Sequence, residues 1–466
     1  MTRASRASPS PDRAPTTTLL TERRTRLAVT AMWALFATFT LLQALWVAPV
    51  QWTDSAAYAQ VAHASIFSSG FWAGARPPLI PLVMKMVGTG TGFVVAQSIA
   101  GSLAWGALAW AMTIHLRRGA PQLIGAAGVF AFACAEPIAL WNNSVLSESL
   151  ALSSLALIVA TYLWLVAGAT WVRVAALAAA ALFFAQARDT GVATVAVLSV
   201  ATLVIYVVHY ALDRRDAVYW AVAGVALVAV VVVGGAGLVA SNRSALNVPD
   251  VYYVRILPYP SRVAWFAAHG MPQQRAIDEH SLIDHPEANV APTNFLTPAT
   301  PGFGALSRWI RSYGSRTYAL WLVTHPLYDL TVPIERPELA YNFAQGDLYF
   351  YAAIGRINAP TAPVVWPGVL GLGVMALLAA LVSLWSRAWR APSWRILILL
   401  SGVGVVATLI AWHGDGQETT RHTIEGLVEL RLGLWLAFVV AVLGRGDHSL
   451  IARWRRGSAR SGPTTT

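Results

Sequence analysis

The sequence of 466 residues is dominated by ten apolar runs, most of them about twenty residues long, with the charged residues confined to the gaps between them. A run of about twenty residues spans a bilayer as an α-helix, whereas the strands of a membrane barrel alternate in segments of about ten. Only 12% of the residues are charged, against roughly 25% in soluble proteins. Cys134 is the only cysteine, which excludes a disulfide scaffold. We therefore predict an all-α polytopic membrane protein with about 10 transmembrane helices. The predicted spans are 27–48, 92–114, 121–141, 150–169, 172–187, 190–210, 217–240, 364–385, 395–412 and 424–443.

The distribution of positive charge predicts how these spans are oriented. If the N-terminus is cytoplasmic, the segments on its side of the membrane hold nineteen of the 33 basic residues and five of the 22 acidic residues. Every short loop then obeys the positive-inside rule. The net charge of +11 therefore reflects membrane orientation, with both termini in the cytoplasm. We predict that the protein is embedded in a lipid bilayer and does not bind nucleic acid.

The spans divide the chain into five parts. A disordered basic cytoplasmic tail is expected at 1–26, and a seven-helix membrane module at 27–240, with a first outer loop at 49–91. An extracytoplasmic loop domain of short helices and irregular chain follows at 241–363, then three C-terminal transmembrane helices at 364–443 and a basic cytoplasmic tail at 444–466. Within the loop domain, apolar residues at helical spacing predict an amphipathic helix over 303–323. These residues are Leu306, Trp309, Ile310, Tyr313 and Leu320.

Ionisable residues close to lipid are expensive and usually mark a pathway or a site, and here they form five clusters that all lie on the predicted outer side. The first cluster follows the first span and contains Asp54, Tyr58 and Arg76. Thr53 or Asp54 could simply cap the next helix. Alternatively, Asp54 is a catalytic aspartate that accepts a hydroxyl proton, and the prolines after Arg76 fix its guanidinium.

Two further clusters lie at helix junctions. Ser147 and Glu148 follow the third span, where ordinary capping would also explain them, and Glu136 lies upstream beside Pro137. We interpret Glu136 either as an end residue that reaches the membrane surface or as the lining of a wet cavity. Arg188 and Asp189 separate two spans with almost no loop. They form either a self-neutralising pair or a site at which Arg188 faces a phosphate.

The last two clusters lie in the large loop and before the tenth span. Arginines mixed with aromatic residues in the loop indicate a solvated face or lipid-headgroup contacts. These arginines are Arg255, Arg262, Arg275, Arg308, Arg311 and Arg316. The stretch His413–His422 leads into Glu425, Glu429 and Arg431.

The His413–His422 stretch allows three interpretations. His413, Asp415, Glu418 and His422 are candidate ligands for a divalent metal such as Mn²⁺ or Zn²⁺. Otherwise Arg421 contacts a phosphate with Glu425 orienting it, or the segment is a structural ion-pair network. No cofactor is predicted with certainty, and this divalent metal is the one candidate. The glycine-rich stretch 88–92 lacks the strand and lysine of a phosphate loop, so soluble nucleotide chemistry is not indicated.

The first-loop pattern Asp54, Tyr58, Gly70 and Arg76-Pro77-Pro78-Leu79-Ile80-Pro81 resembles the GT-C class of integral membrane glycosyltransferases, which includes protein O-mannosyltransferases and actinobacterial arabinosyltransferases. The Ser147-Glu148 turn resembles the acidic second motif of that class, and the seven spans of 27–240 match its shared module. The chain differs in having a lone Asp54 instead of an acidic pair, and Arg76 where the class has tyrosine.

The resemblance implies an inverting transferase in the cell membrane that builds cell-wall or other envelope glycans at the extracytoplasmic face. It would move a sugar from a polyprenyl-phosphate donor to a hydroxyl of a glycan, glycolipid or protein acceptor. Asp54 would be catalytic, and the substrate-binding residues would be Tyr58, Arg76, Glu148, Arg188, Asp189, Arg421 and Glu425. Two alternatives remain: a transporter or flippase, and a lipid-linked polysaccharide polymerase or ligase. Transporters usually carry charges at the midplane and paired repeats.

Overall fold

The computed structural model describes residues 16–212, 215–241, 244–273, 304–335, 366, 368–414 and 419–445. The protein is an all-α polytopic membrane protein, as predicted. Among the described residues, eight helices are long and apolar enough to cross a membrane, or nine if a bent pair counts as one span. Only two isolated bridges, Val50 with Ser144 and Leu116 with Gly444, have β geometry within these ranges.

The N-terminal half contains α1 (Thr16–Trp46), α2 (Thr53–His63), α3 (Ser69–Trp72), α4 (Leu79–Val87), α5 (Thr91–His115), α6 (Ala120–Ala133), α7 (Glu136–Ala139), α8 (Glu148–Ala167), α9 (Trp171–Ala187), α10 (Asp189–Ala211) and α11 (Ala217–Ser241). The C-terminal half contains α12 (Ser244–Val251), α13 (Pro260–Ala268), α14 (Gly304–Trp309), α15 (Ser315–Thr324), α16 (Pro326–Glu335), α17 (Val369–Ser386), α18 (Pro392–Gly414), α19 (Thr419–His422) and α20 (Ile424–Leu443).

Nine of the ten predicted spans correspond to single helices, although α9 has only 17 residues. The exception is the predicted span 121–141, which is broken: α6 ends at Ala133, and the segment from Glu136 is bent away from it by 57°. Pro137 explains the break, because proline lacks an N–H and fits only the first turn of a new helix. At the other end of the bundle, α1 begins at Thr16, so residues 16–26 continue the first membrane helix.

Helices α18 and α20 cross with their backbones in close contact, and glycines make this possible. A Cβ on Gly404 would lie 2.5 Å from the backbone nitrogen of Leu430, and one on Gly426 would lie 2.6 Å from that of Thr408. Small residues allow membrane helices to approach in this way. The crossing fixes the start of α20, which carries the last of the ionisable clusters.

The described part of the large loop forms a second, smaller core beside the membrane bundle. Leu306 and Ile310 are buried in it, whereas Tyr313 is 59% exposed and Leu320 is 44% exposed, so only part of the predicted apolar face is covered. The predicted helix is also interrupted by a π-turn at Ile310–Gly314. This small core rests on the end of α18, where the Tyr318 hydroxyl lies 3.3 Å from Nδ1 of His413.

Arg255 in this region is neither solvated nor free for lipid headgroups. Its guanidinium is buried and lies 4.3 Å from the ring centre of Trp412 at the end of α18. A cation above an aromatic face is favourable, so Arg255 joins the loop helices to the membrane bundle. Arg275 lies outside the described residues.

Candidate functional site

One end of the helix bundle collects the ionisable residues from the first, second, third and last clusters. They come from five segments: α2, the turn before α4, the start of α8, the α9–α10 junction, and α19 with the start of α20. The residues brought together are Asp54, Tyr58, Arg76, Glu148, Arg188, Asp189, Arg421, His422 and Glu425. All eight residues predicted to act in catalysis or substrate binding are therefore in one place.

The first loop positions Asp54 by tying the start of α2 to the loop before α8. The Ser55 hydroxyl donates to the Val145 carbonyl at 2.8 Å and accepts from the Trp52 N–H at 2.9 Å. Trp52 is the N-cap residue of α2, and the Asp54 carboxylate contacts guanidinium groups. One oxygen pairs with Arg76, and the other lies 2.9 Å from Nη2 of Arg421.

Arg76 lies at the mouth of the site. Its guanidinium is 5.4 Å from the ring centre of Tyr58, a distance at which a cation interacts with the aromatic face. Its side chain remains 30% exposed, and Asp54 is 23% exposed. Because Pro77 and Pro78 follow directly and α4 begins at Leu79, the backbone at Arg76 has little freedom.

Glu148 is held at the base of the site by a loop fastened to neighbouring helices. The amide of Gln97 on α5 donates towards the carbonyls of Asn142 at 2.6 Å and Ser144 at 3.0 Å. The buried Glu148 carboxylate accepts from Nε of Arg421 at 2.5 Å, and Nη1 of Arg188 lies 3.5 Å from the same oxygen. Glu148 thus lies between two guanidinium groups.

Arg188 is the single extended residue between α9 and α10. Its Nη1 lies 2.5 Å from Glu425, and its Nη2 lies 2.9 Å from Nδ1 of His422. These partners come from α8, α19 and α20, so the arginine bridges other helices and is not confined to a pair with its neighbour Asp189. Asp189 itself lines the pocket described below.

Together these contacts make a continuous series of alternating charges: Arg76, Asp54, Arg421, Glu148, Arg188 and Glu425. It contains three guanidinium groups and three carboxylates, so its formal charges cancel. The series runs from the partly exposed Asp54 to Glu148 and Glu425, whose side chains are 0% and 3% exposed. A pocket of 80 Å³ opens beside the exposed end and is lined by Asp54, Tyr58, Arg76, Arg188, Asp189 and Arg421.

Two uncharged ionisable groups complete the site. Burial, and then the positive charges of Arg188, Arg421 and Arg76, lower the pKa of His422 well below its ordinary value. The ring is therefore neutral at pH 7 and can accept a hydrogen bond from Arg188 through Nδ1. Burial, and then the negative charge of Glu148, raise the pKa of Tyr58, so its phenol keeps its proton.

The candidate metal ligands do not form a cluster in the part of the chain that the structure describes. His413 contacts the Tyr318 hydroxyl and, through Nε2 at 3.1 Å, the Asp329 carbonyl, whereas His422 contacts Arg188. Asp415 and Glu418 lie outside the described residues. Among the residues described, no group of three histidine, cysteine, aspartate or glutamate side chains could hold a metal ion.

Below the site, α20 carries two further buried ionisable residues. Glu429 is 1% exposed, and neither carboxylate oxygen has a hydrogen-bond partner in the described structure. Arg431 is fully buried, with its guanidinium 4.4 Å from the ring centre of Trp366. Both lie in the apolar span and not at its end, which separates them from the series above.

Sequence reasoning did not identify Gln97 or the role of His422 as a hydrogen-bond acceptor. Gln97 lies within a mainly apolar span, and a polar amide in such a place usually finds a partner, which is the signal that could have identified it. Comparison with known proteins adds no assignment: no protein-family model, no curated protein and no solved structure matches the chain.

Proposed function

We propose that this protein is a membrane glycosyltransferase that moves a sugar from a polyprenyl-phosphate donor to an acceptor hydroxyl. One observation carries the proposal: Arg76 and Arg421 both contact Asp54 at the exposed end of the charge series, beside a pocket. Guanidinium groups bind phosphate well, and a carboxylate beside them can accept a proton.

The proposed reaction is a single displacement. The acceptor oxygen forms a bond to the anomeric carbon while the bond from that carbon to the donor phosphate oxygen breaks. The proton of the acceptor hydroxyl passes to Asp54, and the electron pair of the broken bond leaves with the polyprenyl phosphate. Arg76 and Arg421 stabilise the charge that develops on this phosphate, and the anomeric centre is inverted.

Asp54 suits the role of base better than the other two carboxylates of the series. Glu148 and Glu425 are almost completely buried, so an acceptor cannot reach them, whereas Asp54 is 23% exposed. A donor phosphate competes with Asp54 for Arg76 and Arg421. The donor thereby releases the Asp54 carboxylate, which can then turn to the acceptor hydroxyl.

The membrane setting agrees with a lipid-linked donor. The site lies at one end of the bundle, at the ends of spans, where the headgroup of a lipid would lie. With both termini in the cytoplasm, as the charge distribution predicts, this end is extracytoplasmic and the donor reaches it from the outer leaflet of the cell membrane. A glycan, glycolipid or protein would supply the acceptor hydroxyl, and a polysaccharide polymerase or ligase would use the same donor chemistry.

A proton-coupled transporter is the second candidate, and Glu429 favours it. A buried carboxylate without a hydrogen-bond partner is costly to keep, and an ionisable residue inside a span often marks a proton pathway. Glu429 lies one helical turn from Glu425 on α20. A transporter would move its substrate across the membrane unchanged.

The test is a transfer assay on the full chain in proteoliposomes, using polyprenyl-phosphate sugars with a labelled sugar and a cell-envelope extract as acceptor. A glycosyltransferase transfers the label to the acceptor and leaves polyprenyl phosphate. Movement of intact donor between leaflets without cleavage would contradict the proposal and support the transporter. Failure of every tested sugar to be transferred or moved would reject both.

A further inference from the structure

A second cavity, which is basic, lies at the opposite end of the bundle from the candidate site, and we propose that it binds the headgroup of an anionic phospholipid. The cavity has a volume of 340 Å³, within the range of roughly 300–1,000 Å³ that small-molecule sites occupy. Its charged lining residues are Glu22, Arg26, Arg118 and Arg445. This inference is independent of the proposed transferase activity.

The cavity carries more positive charge than its own carboxylate neutralises. Glu22 lies 2.7 Å from Nη2 of Arg26 and 3.4 Å from Nη1 of Arg118, so one carboxylate serves two guanidinium groups. Arg445, the third, donates from Nε to the Leu116 carbonyl at 2.7 Å. Among the described residues that line the cavity, three cations against one anion leave two positive charges, which a phosphate group can neutralise.

The positive charges also act on one another. Partial burial, and then the charge of Arg118, lower the pKa of Arg445, while the charge of Glu22 acts in the opposite direction. The cations are therefore held near each other by the fold. Arg445 is fixed because its backbone N–H donates to the His115 carbonyl at 2.9 Å, next to the bridge between Leu116 and Gly444. Binding of an anion relieves this repulsion.

The apolar walls indicate that the anion belongs to a lipid. Val29, Trp110 and Ile114 line the cavity beside the arginines. Trp110 is 39% exposed, and the surface of α5 continues below it through Leu103, 55% exposed, and Ile99, 46% exposed. Tryptophan is typical of the membrane interface. The acyl chains would follow this exposed face of α5 while the phosphate stays among the arginines, as in basic pockets between membrane helices that bind anionic headgroups.

The predicted orientation places this cavity at the cytoplasmic surface. Residues 22–26 lie at the N-terminal end of the first membrane-spanning helix, and 118 and 445 lie in segments predicted to be cytoplasmic. An anionic lipid of the inner leaflet has the matching charge and depth. The ligand would hold the start of α1, the α5–α6 turn and the end of α20 together.

Native mass spectrometry of the full chain in detergent tests the proposal, with phosphatidylglycerol and phosphatidylcholine of identical acyl chains as probes. We expect preferential retention of phosphatidylglycerol. Arg118→Gln should weaken its binding by about fivefold, since one arginine near an anionic membrane surface contributes about that factor, and should leave phosphatidylcholine unaffected. The Arg118 side chain is 56% exposed, so this variant should fold; Arg26→Gln, at a side chain that is 67% exposed, repeats the test.

The control is Arg395→Gln. Arg395 is exposed on the same predicted face but donates to the carbonyls of Trp389 and Arg390. Equal weakening by Arg395→Gln would mean diffuse surface charge and would overturn the proposal. Displacement of the lipid by millimolar inorganic phosphate would also overturn it, because the cavity would then take its anion from water. Lack of preference for phosphatidylglycerol over phosphatidylcholine would reject an anionic ligand altogether.

Discussion

The Nη2 atom of Arg421 lies 2.9 Å from the Oδ2 atom of Asp54, although 367 residues separate them in the chain. The same guanidinium contacts Glu148 through Nε. The first loop and the segment before the last helix are therefore joined through one arginine.

Asp54→Asn should reduce sugar transfer by roughly 10²–10⁴-fold, because an amide cannot accept the acceptor proton. The fold should survive, since the side chain is partly exposed. Turnover of labelled donor and the thermal unfolding midpoint measure the two effects. Asp216→Asn, which removes a carboxylate that pairs with His209 at 3.1 Å, is the matched control and should leave turnover unchanged. Near-normal turnover in Asp54→Asn would reject Asp54 as the base.

Arg76→Lys should weaken donor binding more than acceptor binding. Lysine keeps the positive charge but loses the two-pronged geometry that suits phosphate. The KM values for donor and acceptor, measured separately, report the difference. Arg173→Lys is the control, because Arg173 binds the Trp164 carbonyl at 2.6 Å outside the site. An unchanged donor KM in Arg76→Lys would move the phosphate site to Arg421.

Arg188→Met should destabilise the protein, because it leaves Glu148 and Glu425 without a shared cation. Removal of one partner from a buried ion pair typically costs about 3–5 kcal/mol. Thermal unfolding in detergent measures the loss. Arg188→Met combined with Glu425→Gln should recover part of it, because the buried charge is then removed as well. Equal midpoints for the single and double variants would show that the two residues are not coupled.

Acidification should destabilise the fold through His422. Its folded pKa lies below the unfolded value, so the folded state binds fewer protons and loses stability as the pH falls below about 6.5. His422→Asn keeps an acceptor near the position of Nδ1 but cannot be protonated, and it should flatten the loss of midpoint below that pH. His63→Asn, at an exposed position on α2, should not. An unchanged pH profile in His422→Asn would assign the acid sensitivity to other groups.

Gly404→Ala should destabilise the crossing of α18 and α20, because the added methyl would lie 2.5 Å from the Leu430 backbone. Overpacking of this kind costs about 1–3 kcal/mol. Gly373→Ala is the control, since nothing lies within 4 Å of a Cβ at that helical position, and replacing a helical glycine there should be neutral or stabilising. A shift in unfolding midpoint of the same sign and size in both variants would contradict close backbone contact at Gly404.

Cysteine labelling tests the predicted orientation. In a Cys134→Ala background, Gln51→Cys at the site end should react with an impermeant reagent added outside cells, and Ala120→Cys at the opposite end should not. Both positions are exposed in the fold, so a difference in labelling reports the side of the membrane and not burial. The reverse pattern would place the site in the cytoplasm and end the proposal of an extracytoplasmic transferase.

The spans and the ionisable clusters could be predicted from the sequence because each depends on residues close together in the chain. The length of the apolar run that forms α10 can be read from the sequence alone, and so can the charge of Arg188 at its start. The partners of Arg188 could not be predicted, because Glu148 and Glu425 come close to it only through helix packing. The break at Pro137 was not predicted, because the apolar residues that flank the Glu136-Pro137 pair make a run long enough to span the bilayer. Gln97 was not identified because its amide donates to backbone carbonyls, and every residue carries such a carbonyl, so the sequence does not show which of them it reaches.

The dependence of Asp54 on Arg421 has a consequence for biogenesis. The ribosome delivers Asp54, Glu148 and Arg188 to the membrane long before residue 421 is translated. Until then two of the three guanidinium groups are present, and the carboxylates near Arg188 and Arg76 lack the cation that joins them. If the proposed function holds, the donor site is incomplete until residue 421 has been translated, and we expect C-terminally truncated protein to leave donor lipid unconsumed.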